Sequence, residues 1–190
     1  MYIKSRNIPE TELQKLIAGC LARNRASQKR VYDIYAPKMM SLCLRYARNL
    51  EEAEEILQDG FLQLYRCINQ FKKIGSFEGW LRKIMINCAL QRYRDKVHLY
   101  PITLSLGKEH IFLTTGDDFF DRLGEKDLIR LIQTLPPAYR MVFNLYVFEG
   151  LKHREIAILL HISEGTSKSN LSDARTLLRK SLVGNMKAVK

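Results

Sequence analysis

The sequence predicts an all-α protein made of two small helical domains joined by a linker. Apolar residues recur at three- and four-residue spacing through most of the 190 positions, and only five prolines and ten glycines interrupt them. One stretch, 96–124, loses the period and is longer than connections inside one compact domain usually run. The expected division is therefore a first domain over 1–95, a linker over 96–124 and a second domain over 125–190. The length suits one ordinary domain or two small ones and excludes a large multidomain enzyme.

In the first domain, Leu13, Leu16, Ile17, Cys20 and Leu21 mark one apolar stripe. Val31, Tyr32, Ile34 and Tyr35 begin a second, which continues through Met39, Leu42, Cys43 and Tyr46. After Asn49, the acidic run Glu51-Glu52-Ala53-Glu54-Glu55 sits at the positive end of a third helix with Ile56, Leu57, Phe61, Leu64 and Ile68 on its buried side. A loop at Lys72-Lys73-Ile74-Gly75-Ser76 precedes a fourth helix, Phe77 to about Arg94, whose apolar positions are Trp80, Leu81, Ile84, Met85, Cys88 and Leu90.

Helices resume at Glu125 and run toward Leu135. Pro136-Pro137 suits the first turn of the next helix, where a missing N–H costs nothing, and Gly150 is its stop. A short helix from Lys152 to Leu160 follows, then a turn at His161-Ile162-Ser163 and a last helix from Glu164 to about Leu182, with Ser163 as its N-cap. Ile156, Ala157, Leu159 and Leu160, then Ile162 at the corner, then Leu171, Ala174, Leu177 and Leu178, have the spacing of a helix-turn-helix.

Charge narrows the partner. Thirty-one Lys and Arg against 20 Asp and Glu give a formal charge of +11, which points first to nucleic acid and second to an anionic membrane surface. No stretch approaches the roughly 20 apolar residues of a membrane helix, and the opening residues carry no secretory or lipidation signal, so a cytoplasmic location without membrane insertion is expected. The four cysteines contain no C-x-x-C pair and read as buried reduced thiols, and the four histidines are scattered, so neither metal nor cofactor is expected.

The outward side of the last helix carries Thr166, Lys168, Ser169, Asn170, Ser172, Asp173 and Arg175. Short polar side chains are what a helix entering a major groove requires, and Lys168 and Arg175 can hold phosphates. A solvated face is the plainer reading of that segment alone. Asp173 repels phosphate, so it either discriminates by accepting from a cytosine amino group or weakens binding.

Three blocks in the first domain carry a resemblance: Glu55 through Tyr65, Phe71 through Ile84, and Asn87 with Arg92-Tyr93-Arg94. They resemble region 2 of the bacterial RNA polymerase sigma factors. Leu135-Pro136-Pro137, Phe148-Glu149-Gly150-Leu151, Arg154-Glu155-Ile156-Ala157 and Glu164 through Ser169 resemble region 4 of the same family. Two matched domains in that order, with little between them, resemble the extracytoplasmic-function (ECF) subgroup, and the wording around Gly165 to Ser169 is similar to versions from Bacteroidota.

The resemblance implies a non-enzymatic factor that brings core polymerase to a promoter. Glu55, Gln58 and Asp59 would dock on the clamp helices of the polymerase's largest subunit, and their i, i+3, i+4 spacing puts them on one helical face. A solvated helix start explains Glu51 and Glu52 equally well. The single-stranded −10 element would be held by Lys72, Lys73, Ser76, Phe77, Trp80, Arg82, Lys83, Asn87, Arg92 and Arg94, with Phe77, Trp80 and Asn87 cradling or reading an unstacked base. Trp80 on an apolar stripe also reads as core. The duplex −35 element would be held by the seven residues of the last helix.

Asp117, Asp118 and Asp121 in the linker would imitate nascent RNA. An anti-sigma factor, or another DNA-bound protein that recruits this one, is a further partner; Ser172 and Asp173 stand where a basic or aromatic contact would be expected and favour recruitment. Two rivals remain: a divalent-metal nuclease built on the three linker aspartates, which no Glu or His constellation supports, and a helix-turn-helix regulator or sigma-like decoy acting without core polymerase.

Overall fold

The computed structural model describes residues 8–99 and 124–187. The chain divides into two compact units between Gln91 and Arg92. Among the described residues every regular element is helical.

The first unit is built on α1 (Glu10–Leu21), α2 (Arg25–Tyr46), α3 (Leu50–Cys67) and the part of α4 (Phe77–Leu99) up to Gln91, with one 3₁₀ turn at Ile68–Gln70. Asparagines start two of these helices. Asn24 accepts the Ser27 N–H at 2.9 Å and Asn49 accepts the Glu52 N–H at 3.0 Å, each satisfying a donor that the first turn leaves without a helical partner. The core joins Met39, Leu42, Cys43 and Tyr46 of α2 to Ile56, Leu57, Phe61 and Leu64 of α3 and Leu81, Met85 and Leu90 of α4. Burying each large apolar side chain of this set is worth about 1.5–3 kcal/mol. Two glycines set helix approach: a Cβ on Gly19 of α1 would lie 2.6 Å from Ser27 Cβ of α2, and one on Gly60 of α3 would collide with the buried Met85 of α4.

Three expectations change here: Leu21, expected on the first apolar stripe, is 50% exposed at the end of α1. Tyr32, expected on the apolar stripe, is 43% exposed, because Val31 and Tyr35 take the inward positions and leave its ring against Phe61 at 4.7 Å. Helix α4 runs to Leu99, beyond the expected end near Arg94, so the first residues of the expected linker are helical. The rest of the linker, with Asp117, Asp118 and Asp121, lies outside the described residues.

The second unit comprises α5 (Glu125–Thr134), α6 (Pro137–Val147), α7 (His153–Leu160) and α8 (Glu164–Lys187). Pro137 occupies the first turn of α6. That helix stops three residues before Gly150, where the Phe148 N–H bonds to the Asn144 carbonyl, and Gly150 then takes φ +67° to turn the chain. His161 closes α7 in the left-handed conformation at φ 54°. Ser163 Oγ accepts the Thr166 N–H at 2.9 Å and so caps α8. The interior is Ile132, Leu135, Val142, Phe143, Leu145, Ile156, Leu171, Ala174 and Leu178. Arg140 is buried too, its guanidinium donating to the Leu135 carbonyl at 2.8 Å.

Candidate nucleic-acid and protein interfaces

On α3 the helical period puts Glu55, Gln58 and Asp59 on one side, away from the buried Ile56, Leu57, Phe61 and Leu64. Glu55 and Gln58 are exposed and Asp59 half-buried. Leu62 extends the same face by one turn and is 49% exposed. The helical period of the buried side leaves Leu62 out, so sequence reading did not single it out. Glu52 is used locally: its carboxylate accepts the Arg48 N–H at 2.9 Å.

The loop before α4 presents Lys72 and Lys73 to solvent, with Lys73 at φ +59° and Gly75 at φ +79°. Those two left-handed residues throw Ile74 outward, 84% exposed. Ser76 Oγ accepts the Gly79 N–H at 3.0 Å, so its hydroxyl caps α4. Phe77 requires a correction. It is only 2% exposed, with its ring against Tyr35 at 5.4 Å and Phe71 at 5.3 Å, so it is a core side chain and cannot cradle a base. As the first residue of α4 it points back under the loop, where the aromatic cluster closes over it. Trp80 is half-buried, 5.2 Å from Phe71 and 6.0 Å from Phe77, and presents its remaining surface outward.

At about 100° per residue, Trp80, Lys83, Asn87 and Arg94 fall on one side of α4; Lys83 and Asn87 are exposed there. Arg82 and Arg92 point to other sides of the helix and are half-buried, so the structure does not bring them to the Trp80 face. They share charge with that face but not its direction.

In the helix-turn-helix, Ile156 and Leu160 of α7 pack with Leu171, Ala174 and Leu178 of α8. Ala157, Leu159, Ile162 and Leu177, expected in the same core, are half-buried at its edge. Thr166 and Lys168 are exposed, and Ser169, Asn170, Ser172, Asp173 and Arg175 are half-buried. Several of these already hold internal partners. Thr166 shares a 2.8 Å hydrogen bond with Ser163, Ser169 donates to the Thr166 carbonyl at 3.2 Å, and Lys168 pairs with Glu164 at 2.9 Å.

Asp173 is half-buried, and its carboxylate acts electrostatically on the Tyr139 hydroxyl of α6. Burial first, and then this carboxylate, push the Tyr139 phenol above its ordinary value. Arg175 lies over the Tyr146 ring at 5.8 Å, a cation–π contact that aligns it along α6.

Sequence reasoning missed Ser167 and His153. Ser167 is fully buried on α8, sharing a 3.0 Å hydrogen bond with His153 Nδ1, while the His153 ring stacks on Tyr146 at 4.7 Å. The signal was present: position 167 stands four before Leu171 and seven before Ala174, which is core register. A buried hydroxyl needs a partner, but periodicity does not name it.

A groove-compatible polar helix in one unit, and a cationic loop beside a half-buried tryptophan in the other, are surfaces compatible with nucleic acid. The comparisons make the class specific. The family model for Sigma-70 region 2 matches residues 31–98, and that for Sigma-70, region 4 matches residues 125–178. The ECF RNA polymerase sigma factor SigW of Bacillus subtilis is 32% identical over 162 residues, covering 80% of this chain and 87% of that protein. The RNA polymerase sigma-H factor of Pseudomonas aeruginosa is 28% identical over 175 residues, covering 84% and 90%. Among solved structures, the sigma factor RpoE in complex with the anti-sigma factor NepR from Bartonella quintana aligns with a TM-score of 0.48 and 19% identity, over 81% of this chain and 95% of that one. This chain belongs to the sigma-70 family of RNA polymerase sigma factors, in the ECF subgroup, whose members are non-enzymatic transcription initiation factors.

Proposed function

We propose that this factor docks on core RNA polymerase through the Glu55, Gln58, Asp59 and Leu62 face of α3, working in the cytoplasm. Among the described residues no helix is long and apolar enough to cross a membrane. The loop cations Lys72 and Lys73 take phosphates of the melted −10 strand, and the Trp80, Lys83, Asn87 and Arg94 side of α4 takes its unstacked base. Unstacking costs a few kcal/mol per step, so stacking on Trp80 and backbone charge must together exceed that cost. Region 4 places the polar face of α8, through Thr166, Lys168, Ser169, Asn170 and Ser172, in the −35 major groove. Asp173 takes a positioning role through Tyr139, which leaves that face with few strong base contacts and favours recruitment by a second DNA-bound protein at some promoters.

The observation that supports this reading best is an acidic, partly apolar α3 face on a protein of net charge +11 whose loop before α4 is cationic. One surface suits a basic protein partner and the other suits DNA. In vitro transcription with bacterial core polymerase on a randomised promoter library tests it. Run-off products appearing only when both proteins are present support the proposal. Sequence-specific operator binding by this chain alone, with no transcript, would show the regulator or decoy reading to be right.

A further inference from the structure

Ile74 is the most exposed large apolar side chain among the described residues, 84% open to solvent in the loop before α4. Every residue from Lys72 to Ser76 is exposed, and a Cβ on Gly75 would meet nothing within 4 Å, so the apex stands clear of the fold. The backbone holds Ile74 there. Lys73 at φ +59° and Gly75 at φ +79° turn the chain outward on either side of it. Both ends of the loop are fixed: the Phe71 N–H bonds to the Ile68 carbonyl at 3.2 Å and the Phe71 ring lies 5.2 Å from Trp80, while Ser76 Oγ accepts the Gly79 N–H at 3.0 Å. Ile74 therefore projects from a short loop pinned at each end.

Its chemistry limits what it can do. The side chain has no hydrogen-bonding atom, so it cannot read the donor and acceptor pattern of a base edge. Branching at Cβ restricts its χ1 rotation, so it presents one stiff apolar shape. Its neighbours indicate what it meets. Lys72 and Lys73 form no ion pair with a described residue, and the loop itself holds no carboxylate, so the charge beside the apex is uncompensated. A protein pocket for an isoleucine does not call for two uncompensated lysines beside it. A nucleic-acid strand answers both features, with phosphates for the cations and base faces for the apolar side chain.

We propose that Ile74 is a wedge that enters between two adjacent base pairs at the duplex edge of the −10 element and unstacks them, while Lys72 and Lys73 hold the neighbouring phosphates. This role rests on the reading of the loop as the −10 contact, and it adds the step before capture: the loop starts the melting that frees a base for Trp80. Apolar side chains inserted between base steps partly unstack and kink a duplex. Pyrimidine–purine steps open most easily, so the wedge should favour TA or CA/TG at its point of entry.

The test uses holoenzyme assembled from bacterial core polymerase and the full-length chain, on a promoter recovered from the randomised library. The promoter is made fully paired and with a mismatched, premelted −10 segment, and 2-aminopurine in the −10 element of the paired form reports unstacking. Ile74→Ser is expected to slow opening of the paired template by about tenfold or more, because the cost of unstacking is then uncompensated. Transcription from the premelted template is expected to stay at the wild-type level, which also shows that the variant folds and binds core polymerase. Ile74→Leu keeps an apolar wedge and should open the paired template like wild type. Equal losses on both templates, or weaker association of Ile74→Ser with core polymerase, would assign Ile74 to the melted strand or to a protein contact and overturn the wedge. Opening of the paired template by Ile74→Ser at the wild-type rate would overturn it too, and would leave the polymerase reading intact. A library that yields no promoter at all would sink the polymerase reading and this one with it.

Discussion

Phe77 and Trp80 stand three positions apart on α4 and do different work. Phe77 closes the aromatic cluster with Tyr35 and Phe71, whereas Trp80 lies at its rim. Phe77→Ala should cost the first unit about 3–5 kcal/mol of stability, the range for emptying a buried aromatic site. Trp80→Ala should cost less stability and more transcription from melted templates. Chemical denaturation of both variants separates them, and an unfolding midpoint unchanged by Phe77→Ala would return that ring to the surface. Both residues read from the sequence as candidates for the same base. Their separation depends on Tyr35, which is distant in sequence and which no local period connects to them. The Cys43 thiol, pushed up to about 12 mainly by burial, fits the expectation of an inert core cysteine.

Each helix begins or packs through a small number of local devices. Asn24, Asn49, Ser76 and Ser163 each accept an N–H from the first turn that follows, and of these only Ser163 was expected from the sequence. The others were legible in the same way, since Asn and Ser ahead of an apolar run are standard starts. Gly19 is different, because nothing in α1 itself demands a glycine. Its role is to let α2 approach: an added methyl would stand 2.6 Å from Ser27 Cβ, which is held by backbone and cannot swing aside. Gly19→Ala should therefore separate α1 from α2 and destabilise the first unit by about 1–3 kcal/mol, although alanine is the better helix former by about 1 kcal/mol. Thermal unfolding of the variant checks this, and a raised midpoint would mean that propensity outweighs packing.

For the whole molecule the deciding quantity is how charge is distributed. The acidic α3 face belongs to a protein whose other candidate surfaces are cationic, so exchanging its sign should affect one partner only. The double change Glu55→Lys and Asp59→Lys should slow association with core polymerase by about tenfold or more at low salt, while affinity for a random DNA duplex stays the same or rises slightly. Stopped-flow association with core, beside anisotropy on duplex, measures both. Equal losses in the two assays would mean misfolding rather than a lost interface. Duplex affinity itself should fall steeply as salt rises, because each phosphate contact releases condensed counterions.

By itself the sequence determined the helical class, the two-part organisation and the helix-turn-helix register. Each is a local property: a period, a cap or a breaker. Tertiary structure decided which side chains remain available to a partner. It turned Phe77 inward against Tyr35, and paired buried Ser167 with His153. Those outcomes depend on where helices remote in sequence cross. Helical spacing says which way a side chain leaves its own axis, and only packing determines what stands there to meet it.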